Sequence, residues 1–103
     1  MDILQLTEIV ATANKKQIKD RLKALGYTDC KKHKVYKHIN LEVLFKSDLQ
    51  STETFPDNKG KRTYEGGIFT NVKGYDDLEF ITININDDKN VFPVDMLIWA
   101  KEV

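Results

Sequence analysis

Ile81, Ile83 and Ile85 alternate with Thr82, Asn84 and Asn86 in the stretch DLEFITININ, the period-2 pattern of a strand with one face in a core and one toward water. Turn-forming residues bracket it on both sides, so a central strand is predicted over about 78–86. Upstream, Tyr64, Ile68 and Val72 share one parity and Phe69 the other. This predicts a second strand over about 63–72, joined by a short connection and therefore antiparallel to the first. Gly66-Gly67 inside it marks a bulge or the close approach of another backbone. A phosphate-cradling role for the pair lacks both a following helix and a Gly-Lys-Ser/Thr pattern. Residues 34–46 place Val35, Ile39, Leu41, Val43 and Phe45 on one parity, predicting a third strand, long or broken by a bulge near residues 38–40.

The period changes at the N-terminus. Ile3, Leu6, Ile9 and Val10 form one stripe at helical spacing, and Ile18, Leu22 and Leu25 form another, rotated by roughly a third of a turn at ~100° per residue. One straight helix cannot bury both against the same surface. Asp2 with Gln5, and Asn14 with Gln17, have the spacing of capping boxes, so two helices are expected, about 3–12 and 15–25. Gly26 has the position of a stop residue beyond the second, with Tyr27 packing back on its last turn.

The stretch 47–62 is polar with little periodicity, and its Pro56-Asp57-Asn58-Lys59-Gly60 run is a strong turn signal. It reads as a long polar loop tacked down by Leu49 and Phe55. At the C-terminus VFPVDMLIWAKEV is apolar on both parities, as a buried strand would be. As a helix over about 93–102, which is preferred here, it places Pro93 in the first turn with Asp95 and Lys101 at the favourable ends of the dipole. Trp99 is then the largest core contributor, and its indole N–H needs a partner if buried. The expected fold is α+β, a single compact domain over 1–103 with the helices on one face of a three- to four-stranded antiparallel sheet.

Composition changes this picture little. With 41% hydrophobic and 31% charged residues the chain is ordinary for a globular protein. Its apolar runs fall far short of a membrane span, and its first residues have no signal-peptide pattern. The single cysteine, Cys30, cannot form an internal disulfide, which suits the cytoplasm. Net charge is zero, yet residues 1–46 hold ten Lys/Arg against five Asp/Glu and the remainder reverses the balance. Such segregation bears on partners, not on fold.

Candidate chemistry is sparse. Cys30, His33 and His38 offer zinc-like ligands without a fourth, in a lysine-rich turn that disfavours a divalent cation. A Cys30–His33 nucleophile pair lacks an orienting group and an oxyanion site. The carboxylates at the two ends of the central strand are separated by roughly 30 Å and cannot act on one bond. No catalytic, metal or cofactor site is therefore expected. The expectation is a small cytoplasmic protein-interaction module, of inhibitor or immunity type, that contacts a protein with a basic surface through Asp57, Asp76, Asp77, Glu79, Asp87 and Asp88 and through the polar loop. The alternative is a nucleic-acid-binding regulator using Lys15, Lys16, Lys19, Arg21 and Lys23 of the second helix.

Overall fold

The structure is a computed structural model that describes residues 1–103 except 12, 13, 35, 58, 59, 61 and 88–94. Eight elements follow in chain order: α1 (Ile3–Val10), α2 (Lys15–Ala24), β1 (Thr28–Asp29), α3 (Leu41–Phe45), β2 (Asp48–Pro56), β3 (Arg62–Thr70), β4 (Leu78–Asp87) and β5 (Asp95–Glu102). The strands form one antiparallel sheet in the order β1-β5-β4-β3-β2. The fold is α+β, with five strands rather than the expected three or four.

Both N-terminal helices start at the expected capping boxes, Asp2 with Gln5 and Asn14 with Gln17, each reciprocal. The end of α2 is equally well specified. Gly26 takes φ +89°, the Gly26 N–H bonds Lys23 O, and the Tyr27 N–H reaches back to Leu22 O. This is the Schellman arrangement, which only a residue free of a Cβ adopts without strain.

Each face of the sheet has its own core. On one, Tyr64, Ile68, Ile81, Ile83, Ile85, Leu97 and Trp99 meet Leu6, Ile9 and Val10 of α1, Ile18 and Leu22 of α2, and Tyr27. On the other, Phe69, Leu78, Phe80, Ile98 and Ala100 pack against Cys30, Leu44 and Val72, with Tyr36, Ile39 and Val43 at the margin. Phe80 is fully buried there, with the rings of Tyr36 and Tyr75 edge-on at 6.3 and 5.7 Å. The face expected to be open is thus half covered.

Three elements correct the expectations from sequence. Residues 95–102 are a strand, not a helix: β5 lies between β4 and β1, so it needs apolar groups on both faces, and it buries Leu97 and Trp99 on one and Ile98 and Ala100 on the other. Pro93 lies outside the described residues. The described residues of 34–46 are not a strand but turns leading into α3, which Asn40 caps by accepting the N–H groups of Glu42 and Val43, and Val35 lies outside them. Leu44, on the parity assigned to water, is fully buried. The polar loop over 47–62 is a hairpin, in which β2 is an edge strand with only Thr52 buried and therefore lacks the alternation of a half-buried strand. The expected turn is real, with the Asp57 N–H on Arg62 O at 2.8 Å and the Gly60 N–H on Asp57 O at 3.1 Å.

The β2–β3 register slips between Ser51 and Thr54, and a side chain repairs the ladder at this bulge. The Thr52 hydroxyl accepts the Gly66 N–H at 2.9 Å and donates to Gly66 O at 3.2 Å. A Cβ at Gly66 would lie 2.9 Å from Leu6 Cδ2 and 3.1 Å from Thr52 Oγ1, so the close approach inferred from the Gly-Gly pair is that of α1 and the bulge. Gly66→Ala is expected to destabilise the protein by about 1–3 kcal/mol, the cost of overpacking, as a lowered urea midpoint with an unchanged m-value.

Candidate functional site

The apolar cluster on the second face ends at Phe80 along β4. Beyond it β4 presents Thr82 and Asn84, β3 presents Glu65 and Phe69, and β2 presents Leu49 and Ser51 on the same side, because residues paired across antiparallel strands share a face. With Phe45 from the end of α3 these groups line a groove of about 150 Å³. That volume holds one side chain of about benzene size. Gly67 keeps the floor low, since a Cβ there would stand 3.0 Å from both Leu49 Cδ1 and Thr82 Oγ1.

The rim is apolar and exposed. Phe45 and Leu49 keep 49% and 52% of their surface in solvent, and Phe45 leans on Phe69 with ring centroids 5.9 Å apart. The floor is polar, and Asn84 Oδ1 is buried without a hydrogen-bond partner among the described residues. Glu65 is the one carboxylate in the lining; Asp48 and Glu53 are exposed on β2, a strand with no Lys or Arg, and Asp48, which accepts the Asn71 amide at 2.8 Å, alternates to the face away from Leu49. Strand β2 ends the sheet, so the backbone groups on its outer side have no strand partner among the described residues.

The acidic residues expected to form the contact surface are not brought together. Asp76 and Asp77 are exposed in the turn before β4, whereas Asp87 lies at the far end of the strand, opposite Arg62, and Asp57 is in the β2–β3 turn beside it. Asp88 lies outside the described residues. Glu79 is not a surface carboxylate at all. Its Oε2 receives the Met1 ammonium and the Tyr27 hydroxyl, both at 3.2 Å, inside the first core. Burial, then the Glu79 charge and hydrogen bond, push the Tyr27 hydroxyl pKa well above the usual phenol range.

The basic set on α2 is partly engaged. Lys15 donates to Asp95 at 2.5 Å, and Lys31 reaches the same carboxylate at 3.4 Å. The Lys15 hydrogen bond holds the Asp95 carboxyl down at about 2. Arg21 donates to Glu8 O at 3.2 Å, leaving Lys16, Lys19 and Lys23 along a helix that also carries Asp20. Cys30, His33 and His38 do not converge. The histidines are exposed and Cys30 is buried, and no group of three metal-ligating side chains occurs among the described residues. No helix among them is long and apolar enough to cross a membrane.

The chain matches no protein-family model, no curated protein and no solved structure.

The groove was hidden in the sequence because its parts come from residues 45, 49, 65, 69, 82 and 84, which only the sheet register unites. Leu49 carried a signal nonetheless, a large apolar residue in a stretch too polar to bury it, whereas Phe45 sat on the apolar parity of residues 34–46 and gave none. The thiol is the simplest element to test. Burial, then the neighbouring Asp29 charge, push Cys30 up to about 12, so the reactive thiolate is scarce at any working pH. Cys30 is expected to react with a disulfide reagent at pH 8 about a hundredfold or more slowly in the native protein than in urea, with the reaction tracking global unfolding.

Proposed function

We propose that this protein is a protein-interaction module whose contact surface is the groove beside β2 and the free edge of that strand. The observation that carries it is the half-exposed Phe45–Leu49 pair standing over a polar floor. Large apolar side chains left in solvent around a concavity mark interaction sites rather than random surface. Hot spots of binding are likewise apolar anchors that fill such pockets inside a polar rim.

The partner that fits is an extended segment with one apolar or aromatic anchor and flanking basic residues. The anchor enters the groove, the chain runs along β2 with its backbone groups available for strand addition, and the basic flanks meet Glu65 in the groove and the acidic edge that Asp48 and Glu53 give to β2. Asp76 and Asp77 add a long-range field that steers such a partner. An inhibitor or immunity-type protein acts in this way, by occupying a surface its partner needs, and a cytoplasmic setting suits the free thiol. The nucleic-acid alternative has less support, because Lys15 is paired and Asp20 interrupts the remaining lysines.

Affinity capture from the native host, run in parallel with Phe45→Glu and Leu49→Glu, tests the assignment. Both side chains are half in solvent, so both variants are expected to keep the wild-type thermal midpoint within about 0.5 kcal/mol of stability. A protein recovered by the wild type is expected to fall at least about tenfold in yield with each variant, the loss of one anchoring contact. Equal recovery by all three, or recovery of nucleic acid instead, would overturn the assignment.

A further inference from the structure

The groove beside β2 holds a single charge, for its lining has Glu65 and no lysine, arginine or histidine. Glu65 is partly withdrawn from solvent, yet its carboxylate makes no ion pair or hydrogen bond among the described residues. It is alone in this among their partly or fully buried carboxylates. Glu79 holds the Met1 ammonium and the Tyr27 hydroxyl, Asp95 holds Lys15 and Lys31, Asp29 accepts the Lys31 N–H, and Asp57 and Asp87 are engaged as well. A carboxylate that loses hydration without gaining a cation is a cost to the free protein, and a partner's cation removes it.

Given the contact surface proposed above, on which this rests, we infer that Glu65 sets its specificity by pairing with an arginine or lysine two residues from the apolar anchor of an extended partner segment. The spacing follows from β3. Phe69, Gly67 and Glu65 are alternate residues of that strand and share the groove face, opposite Leu49, Ser51 and Thr54 of β2. The anchor has room where Gly67 lacks a Cβ, next to Phe69, and Glu65 stands one same-face step beyond. That step is roughly 6.6 Å at ~3.3 Å per residue, the distance an extended partner also covers in two residues. The side-chain type follows from the reach. A segment added outside β2 lies two strand spacings from β3, roughly 10 Å at ~4.8 Å each, which only a long side chain spans. Arginine is favoured over lysine, since its planar guanidinium meets a carboxylate through two parallel hydrogen bonds.

Selection of random decapeptides displayed on phage tests this, with Leu49→Glu as the control that alters the groove. Peptides that bind the wild type and not Leu49→Glu are expected to share a large apolar residue two positions from an arginine or lysine. For one such synthetic peptide, Glu65→Gln is expected to weaken binding at least about tenfold, the loss of a charge-assisted contact. The same peptide with alanine in place of its cation is expected to bind both proteins equally. Selection against Glu65→Arg is expected to exchange the basic residue for aspartate or glutamate at the same spacing. Groove-dependent peptides without a cation at that spacing, or an affinity indifferent to Glu65→Gln, would overturn the role of Glu65 and leave the groove as the contact surface. Peptides bound equally by Leu49→Glu, or no enriched peptide at all, would overturn both.

Discussion

Strand β4 lies in the interior of the sheet, hydrogen-bonded to β3 on one side and β5 on the other, and both of its faces need cover. The isoleucine face obtains it from α1 and α2, whose buried stripes converge on Ile81, Ile83 and Ile85. The second face is covered only where β4 offers Phe80, by Leu44, Cys30 and the two tyrosines. Where it offers Thr82 and Asn84 instead, that close-packed cover gives way to the rim residues Phe45 and Leu49, which leave a groove above the two polar side chains. The groove is the consequence of where apolar residues stop along one strand.

The same constraint explains what could be read in advance. Elements whose signal is local were legible. The two capping boxes, the glycine stop after α2, and the alternation of β3 and β4 each depend on side chains within a few residues of one another. Elements whose character depends on neighbours were not. Strand β5 is apolar on both sides because it is central, and Pro93, Asp95 and Lys101 happen to satisfy helix rules as well. Strand β2 is polar because it is an edge, so its pattern imitates a loop. In residues 34–46 the alternation competed with an Asn40 cap and a buried Leu44, and packing against Phe80 decided for a short helix.

The candidate contact surface shifted for a related reason. Sequence separation placed acidic residues at the two ends of β4, and the fold keeps Asp76 and Asp77 about a strand length from Asp87 but draws Glu79 into the core against Met1 and Tyr27. An acidic group survives there as Glu65, in the groove beside exposed Phe45 and Leu49, on the strand next to the acidic edge strand β2. The expected need of Trp99 for a hydrogen-bond partner is unmet among the described residues.

The most direct test of the central claim is amide hydrogen exchange of the protein alone and bound to the partner it captures. Added protection at Leu49, Gln50 and Ser51 of β2 and at Phe45 at the end of α3, with α2 unchanged, is the predicted footprint. Protection confined to α2 or to the turn over residues 71–77, with β2 exchanging as in the free protein, would contradict it.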